Sequence, residues 1–162
     1  MRKFLFVLFM FVSMCSFSQG FICDKIPVKD GRVCYEGVVM VDSVPSSTLY
    51  NNAKLWIGKT FVSSKAVIQS EIPNSLIVLK GMMKDYTFTL TLQFKDGRYK
   101  YELSDIGIDL YIASVNYKKK GPIEDTPLMK NCNKAPIEMF DSLIKDFIAD
   151  LESGIKANNN DW

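Results

Sequence analysis

Residues 86–105 read YTFTLTLQFKDGRYKYELSD. Two alternating runs flank Asp96-Gly97, a dipeptide suited to a two-residue hairpin turn because it tolerates positive φ. Such a turn sets the register. Lys95 faces Arg98, Phe94 faces Tyr99, Leu92 faces Tyr101 and Leu90 faces Leu103. On the other side Gln93 meets Lys100, Thr91 meets Glu102 and Thr89 meets Ser104. One face is apolar and aromatic, the other polar. That pattern belongs to an antiparallel sheet packed on one side and wet on the other.

Working outward, Tyr86–Phe94 and Arg98–Ile106, the latter extending towards Ile112, read as the last two of four strands. The two before them are Ala66–Ile72 and Leu76–Met83, closed by Pro73-Asn74-Ser75 and by Lys84-Asp85. An earlier strand, Val33–Val41, follows the turn Lys29-Asp30-Gly31-Arg32 and places Val33, Tyr35, Val39 and Val41 on one face. Between them Leu49, Ala53, Trp56, Ile57 and Phe61 recur at helical spacing, with Pro45 ending the strand and Ser46 or Ser47 as the cap. Trp56 invites a ligand-stacking role, but within such a stripe a large apolar residue is core. A second helix begins near Pro136, with Ile137, Phe140, Ile144, Phe147, Ile148, Leu151 and Ile155 as its apolar stripe and Leu143 widening it. Its outer face, with Glu138, Asp141, Asp146, Asp150 and Glu152, is acidic, which argues against docking on a bilayer. Gly154 and Asn158-Asn159-Asn160 are expected to end it. Strand, helix, four antiparallel strands, helix: the economical solution is an α+β two-layer sandwich, β-α-β4-α, with both helices on the apolar face of the sheet. The domain spans residues 26–156, and residues 157–162, with Trp162, form a disordered tail.

Two stretches resist this pattern. Residues 113–134 contain Lys118-Lys119-Lys120, Gly121-Pro122 and Pro127 and read as a long irregular loop, longer than compact domains usually carry. The octet 29–36 (KDGRVCYE) echoes 95–102 (KDGRYKYE) at six of eight positions, the same turn-into-strand chemistry used twice.

The N-terminus has the layout of a secretory signal peptide. Arg2 and Lys3 precede the apolar run Phe4–Val12, and Ser16-Phe17-Ser18 supplies small residues for a cut after residue 18, with a cut after Gly20 fitting nearly as well. Nine apolar residues are far short of the ~20 a bilayer-spanning helix needs. A lipoprotein modified on Cys15 is the alternative, with the bulky Met14 against it. The whole chain of 162 residues carries 20 Lys+Arg and 18 Asp+Glu and no histidine. Without residues 1–18 it carries 18 of each, so the formal surplus belongs to the signal. A neutral domain lacks the basic excess of a nucleic-acid binder. The remaining charges are uneven: residues 24–100 are net basic and 101–162 net acidic by the same amount.

The absence of histidine removes Ser-His-Asp and Cys-His nucleophile pairs and every histidine-containing metal site. Asp105 and Asp109 make the best carboxylate pair. At i and i+4 on a strand they would stand roughly 13 Å apart, too far for paired acid–base work on a glycoside. Cys34 lacks an activating base and reads as a small buried hydrophobe. Cys23 and Cys132 lie outside the periodic segments and are the first choice for a disulfide in an oxidising compartment. No catalytic, cofactor-binding or metal-ligating constellation emerges. The expected function is non-enzymatic: binding of an envelope protein or a small ligand. The surface would be the wet sheet face (Thr89, Thr91, Gln93, Lys100, Glu102) or the lysine triplet Lys118-Lys119-Lys120. A second reading is a carrier holding an apolar ligand between sheet and C-terminal helix, lined by Met82, Met83, Tyr101, Phe140 and Phe147.

Several segments together resemble a known family. They are Val33–Val39 (VCYEGVV), Leu49–Ile57 (LYNNAKLWI), Ser63–Gln69 (SSKAVIQ) and Lys95–Tyr101 (KDGRYKY). They look like a family of small exported bacterial proteins of unknown function with a TATA-binding-protein-like (TBP-like) fold, over about residues 26–110. The resemblance implies the same β-α-β4-α order and a place in the periplasm or envelope of a diderm bacterium. It carries over no catalytic residue. It does not bring a nucleic-acid role either, since the polar sheet face offers threonines and Gln93 rather than a basic aromatic surface.

Overall fold

The computed structural model describes residues 20–23, 25–62, 67–112, 117–132 and 134–157. The expected signal segment 1–18 and residues 158–162 of the expected tail lie outside them. The hairpin at Asp96-Gly97 forms in the register the turn dictates. β7 (Tyr86–Lys95) and β8 (Arg98–Ile112) pair from Lys95↔Arg98 through Leu90↔Leu103 to Thr89↔Ser104. β6 (Leu76–Met83) and β5 (Ile68–Ile72) extend the sheet on one side, and β4 (Tyr35–Met40) closes it on the other, giving the order β4-β8-β7-β6-β5. Helix α1 (Ser46–Thr60) connects β4 to β5, and α3 (Lys134–Lys156) ends the described chain. The core lies between these two helices and one sheet face, where Trp56, Phe88, Tyr99 and Phe140 are buried. This is the two-layer α+β sandwich expected.

Four departures have local causes. The described part of residues 113–134 is not a loop. Among them β9 (Tyr117–Pro122) pairs with the far half of β8 from Ile112↔Tyr117 to Gly107↔Pro122. A 3-10 turn (Ile123–Asp125) and the short helix α2 (Pro127–Lys130) follow. A lysine-rich edge strand has no apolar alternation to betray it, since lysine is what edges carry to deter further pairing. The N-terminus adds a small sheet of β1 (Gly20–Ile22), β2 (Ile26–Lys29) and β3 (Arg32–Val33), strands too short for a periodic signal. Helix α1 is capped from a distance: Pro45 is the N-cap and no serine hydroxyl serves, while the Ser46 N–H donates to Asp96 Oδ1 at 2.8 Å. Finally, Gly154 does not end α3, which runs on to Lys156. A Cβ there would lie 2.4 Å from Cδ1 of Trp56, so glycine lets the two helices touch.

The Cys23–Cys132 disulfide forms, with Cα atoms 5.4 Å apart across 109 residues, and ties the small sheet to the junction of α2 and α3. Cys34 is a buried free thiol at the break between β3 and β4.

Candidate functional site

The face of the sheet turned away from α1 and α3 carries the polar half of each strand. Because side chains alternate, the register stacks them in rows across three to five strands. Glu36, Glu102, Thr91 and Val78 form one row. Val38, Lys100, Gln93, Leu76 and Ile72 form the next, and Met40, Arg98 and Lys95 the outermost. Thr89, Thr91, Gln93, Lys100 and Glu102 therefore share this face, as the sequence indicates. Between them sit large apolar side chains that alternation alone does not announce. Val38 is 61% exposed, Met40 60% and Met82 56%, and Ile72 is exposed as well.

The face has an electrostatic centre. The repeated octet places Glu36 directly opposite Glu102, a like-charge cross-strand pair that is unfavourable on its own. Two lysines bridge it. Lys29 Nζ is 3.2 Å from Glu36 and 3.0 Å from Glu102, and Lys100 Nζ is 2.7 Å from Glu36 and 3.7 Å from Glu102. The hydrogen bond from Lys100 is the chief reason the Glu36 carboxyl is held below its ordinary range. The hydrogen bonds to Glu102 and then Glu36 push the Lys29 ammonium up. Lys29 and Glu36 escape the sequence reading as site residues, although their place in the octet is the signal that would find them. Behind the network burial pushes the Cys34 thiol up to about 11, so it stays protonated and inert at neutral pH.

Two shallow depressions mark the face. One, of about 250 Å3, lies among Val38, Gln93, Lys95, Arg98 and Lys100. The other, of about 430 Å3, lies among Lys80, Met82, Thr87, Thr89 and Asp105. Asp105 adopts a left-handed φ of 48° where β8 shifts register against β7. This bulge breaks the simple alternation that would set Asp105 and Asp109 on one face of a regular strand. Asp109 instead pairs with Lys120 at 3.4 Å. The lysine triplet is thus strand, with Lys119 and Lys120 opposite Leu110 and Asp109, and it stands at the far end of the sheet from Lys100.

The five residues of the carrier reading do not line one cavity. Met82 points to the open face while Met83, its neighbour, packs on the core, as adjacent strand residues must. The space beneath α3 is filled by rings. Phe140 meets Tyr86 at 5.1 Å between centroids, and Phe147 meets Phe88 at 5.0 Å and Trp56 at 5.5 Å. Trp56 is core, its Nε1 donating to Asp150 Oδ2 at 2.7 Å. Among the described residues no three His, Cys, Asp or Glu side chains group in a way that would hold a metal ion.

With the geometry of strand, helix, four strands and helix in place, the comparison with known families is direct. Residues 35–109 match the family model of a domain of unknown function (DUF4468) with TBP-like fold. The matched segment runs from the start of β4 into the far half of β8, so it contains the open face and the bridged glutamates apart from Lys29. Solved structures share the fold. A TBP-like protein from Parabacteroides distasonis is similar with a TM-score of 0.61 and 19% identity, over 83% of this chain and 97% of that one. A DUF4468 family protein from Bacteroides ovatus is similar with a TM-score of 0.59 and 15% identity, over 86% of this chain and 95% of that one. No curated protein matches the chain.

Proposed function

We propose that this chain is an exported, non-enzymatic module of a diderm cell envelope that binds a partner protein through the open face of its sheet. The observation that carries the reading is the contrast between the two faces. One is closed by helices and packed rings, while the other leaves Val38, Met40, Ile72 and Met82 exposed around a polar centre. Monomeric proteins keep such patches small unless a partner uses them. Export is supported by the Arg2-Lys3 and Phe4–Val12 signal pattern and by the Cys23–Cys132 disulfide, a bond that persists in oxidising compartments. No helix among the described residues is long and apolar enough to cross a membrane.

Cross-linked capture from envelope fractions tests the reading, with the native chain compared against a Thr91→Arg/Gln93→Glu variant. A protein captured by the native chain, lost with this variant and retained with Met139→Lys, on the surface of α3, is the expected result. Identical capture by all three baits, or recovery of the chain from the cytoplasm alone, overturns it.

A further inference from the structure

The main sheet has three strands with a free side, and two of them are guarded. β9 carries Lys118-Lys119-Lys120 and ends in Gly121-Pro122. β5 is five residues long, is interrupted by a register shift between Ile68 and Ser70, and runs into Pro73. These are the devices that keep edge strands from pairing with another chain. β4 has none. Its six residues, YEGVVM, contain no Lys, Arg or Pro and hold unbroken register with β8 from Tyr35↔Leu103 to Met40↔Arg98. Among the described residues no strand pairs with its other side, and Val38 and Met40 stand exposed along it.

We propose that β4 is a dimerisation edge: two copies of this chain pair it antiparallel about a two-fold axis at Val38, joining their sheets into one. The sequence of rows is self-complementary under that symmetry. Val38 meets its own copy, and Glu36 comes opposite the partner's Met40. Beyond that methionine lies the partner's Arg98, directly paired with Met40 on β8, and then the partner's Lys95. The acidic row of one copy, Glu102 and Glu36, thus continues into the basic row of the other, and the reverse holds on the far side of the axis. Glu36 and the partner's Arg98 are two strand spacings apart, about 10 Å between backbones, a gap these long side chains span. Lys95 and Arg98 face each other across the hairpin and form no ion pair among the described residues. The two-fold supplies the carboxylates that this like-charge pair lacks, while the four exposed side chains, Val38 and Met40 from each copy, close over one another. An isologous contact of this kind terminates at two copies. The proposal uses the edge of the sheet rather than its face and stands without the binding role above.

Sedimentation equilibrium and light scattering of the oxidised protein, in the form its host cell processes it to, give the test. A concentration-dependent dimer is expected. Val38→Lys sets two ammonium groups against each other at the axis and should weaken association at least about tenfold, because a symmetric contact feels each change twice. Val62→Lys, at an exposed site beyond α1, should leave it unchanged. Val38→Cys should cross-link to a covalent dimer under mild oxidation. Should Val38→Lys fail to form its disulfide or its far-UV spectrum, Met40→Glu, which sets a carboxylate opposite the partner's Glu36, is read in its place. A monomer at concentrations up to about 1 mM overturns the proposal. So does a dimer that is indifferent to both Val38→Lys and Met40→Glu, or one that Val38→Cys does not cross-link.

Discussion

Two glycines in the two long helices should respond to the same substitution with opposite signs. Alanine is favoured over glycine in a helix by about 1 kcal/mol, through backbone entropy alone. At Gly58 in α1 an added methyl meets nothing within 4 Å, so Gly58→Ala should gain most of that amount. At Gly154 in α3 the methyl would stand 2.4 Å from Cδ1, 2.8 Å from Cγ and 3.0 Å from Cβ of Trp56. Normal contact needs the helices to part by roughly 1 Å. Trp56 has little room to yield, held by its bond to Asp150 and by edge contacts to Phe61 and Phe147. Overpacking costs about 1–3 kcal/mol, and a contact this close against a held ring takes the upper part of that range, about 2–3 kcal/mol, so subtracting the propensity gain of about 1 kcal/mol leaves a net loss of about 1–2 kcal/mol. For a chain of this size that is a fall in Tm of about 2–8 °C. Urea and thermal unfolding followed by circular dichroism check both variants. A Gly154→Ala protein as stable as the parent refutes the close approach of α1 and α3 at Trp56. A Gly58→Ala protein that is less stable refutes the opposing term.

Other expectations concern the cysteines and the bridged glutamates. Replacing Cys23 and Cys132 by serine frees a loop of 109 residues and should lower stability by about 3–5 kcal/mol, read from urea midpoints with and without reductant. Glu36 has a lowered folded-state pKa. The stability it contributes is therefore complete above the unfolded value, near 4.5, and is lost as pH falls through the folded one. Glu36→Gln should accordingly flatten the acid limb of the stability–pH curve, and an unchanged limb would count against the network. Cys34, with its thiol pushed up to about 11 and its side chain buried, holds only on the order of one thiolate in a thousand at pH 8. It should resist iodoacetamide in the native protein and react fully in urea, as mass spectrometry would show.

What the sequence disclosed and what it withheld follow from how far each interaction reaches. The β7–β8 register was legible because a two-residue turn leaves the strands no slack, and everything on the open face inherits that register. The pairing of Cys23 with Cys132 was legible because neither cysteine lies in a periodic segment. The cap on α1 was not, since Asp96 reaches it across 50 residues and the nearby serines offer a plausible local substitute. Gly154 looked like a helix stop because its packing partner lies on another helix. Strand β9 was hidden by its lysines, for edge strands are selected against the alternation by which strands are recognised. The grouping of Met82 with Met83 failed on elementary strand geometry. Glu36 and Lys29 were visible only as part of a repeated octet, whose two copies meet at their ends, Glu36 opposite Glu102.

The long disulfide also sets a problem in assembly. Cys23 and Cys34 are 11 residues apart, whereas Cys23 and Cys132 are 109 apart. In an unstructured chain the near pair is favoured by about 2 kcal/mol of loop-closure entropy, so roughly thirty early encounters out of thirty-one would link the wrong sulfurs. The native bond must then arise by thiolate exchange or be protected from the start by withdrawal of Cys34. Completion of the strand junction that carries Cys34 removes the competing sulfur from reach. The buried thiol, inert in the finished molecule, thus decides by the timing of its disappearance whether oxidation yields one product or a mixture of the three pairings that Cys23, Cys34 and Cys132 allow.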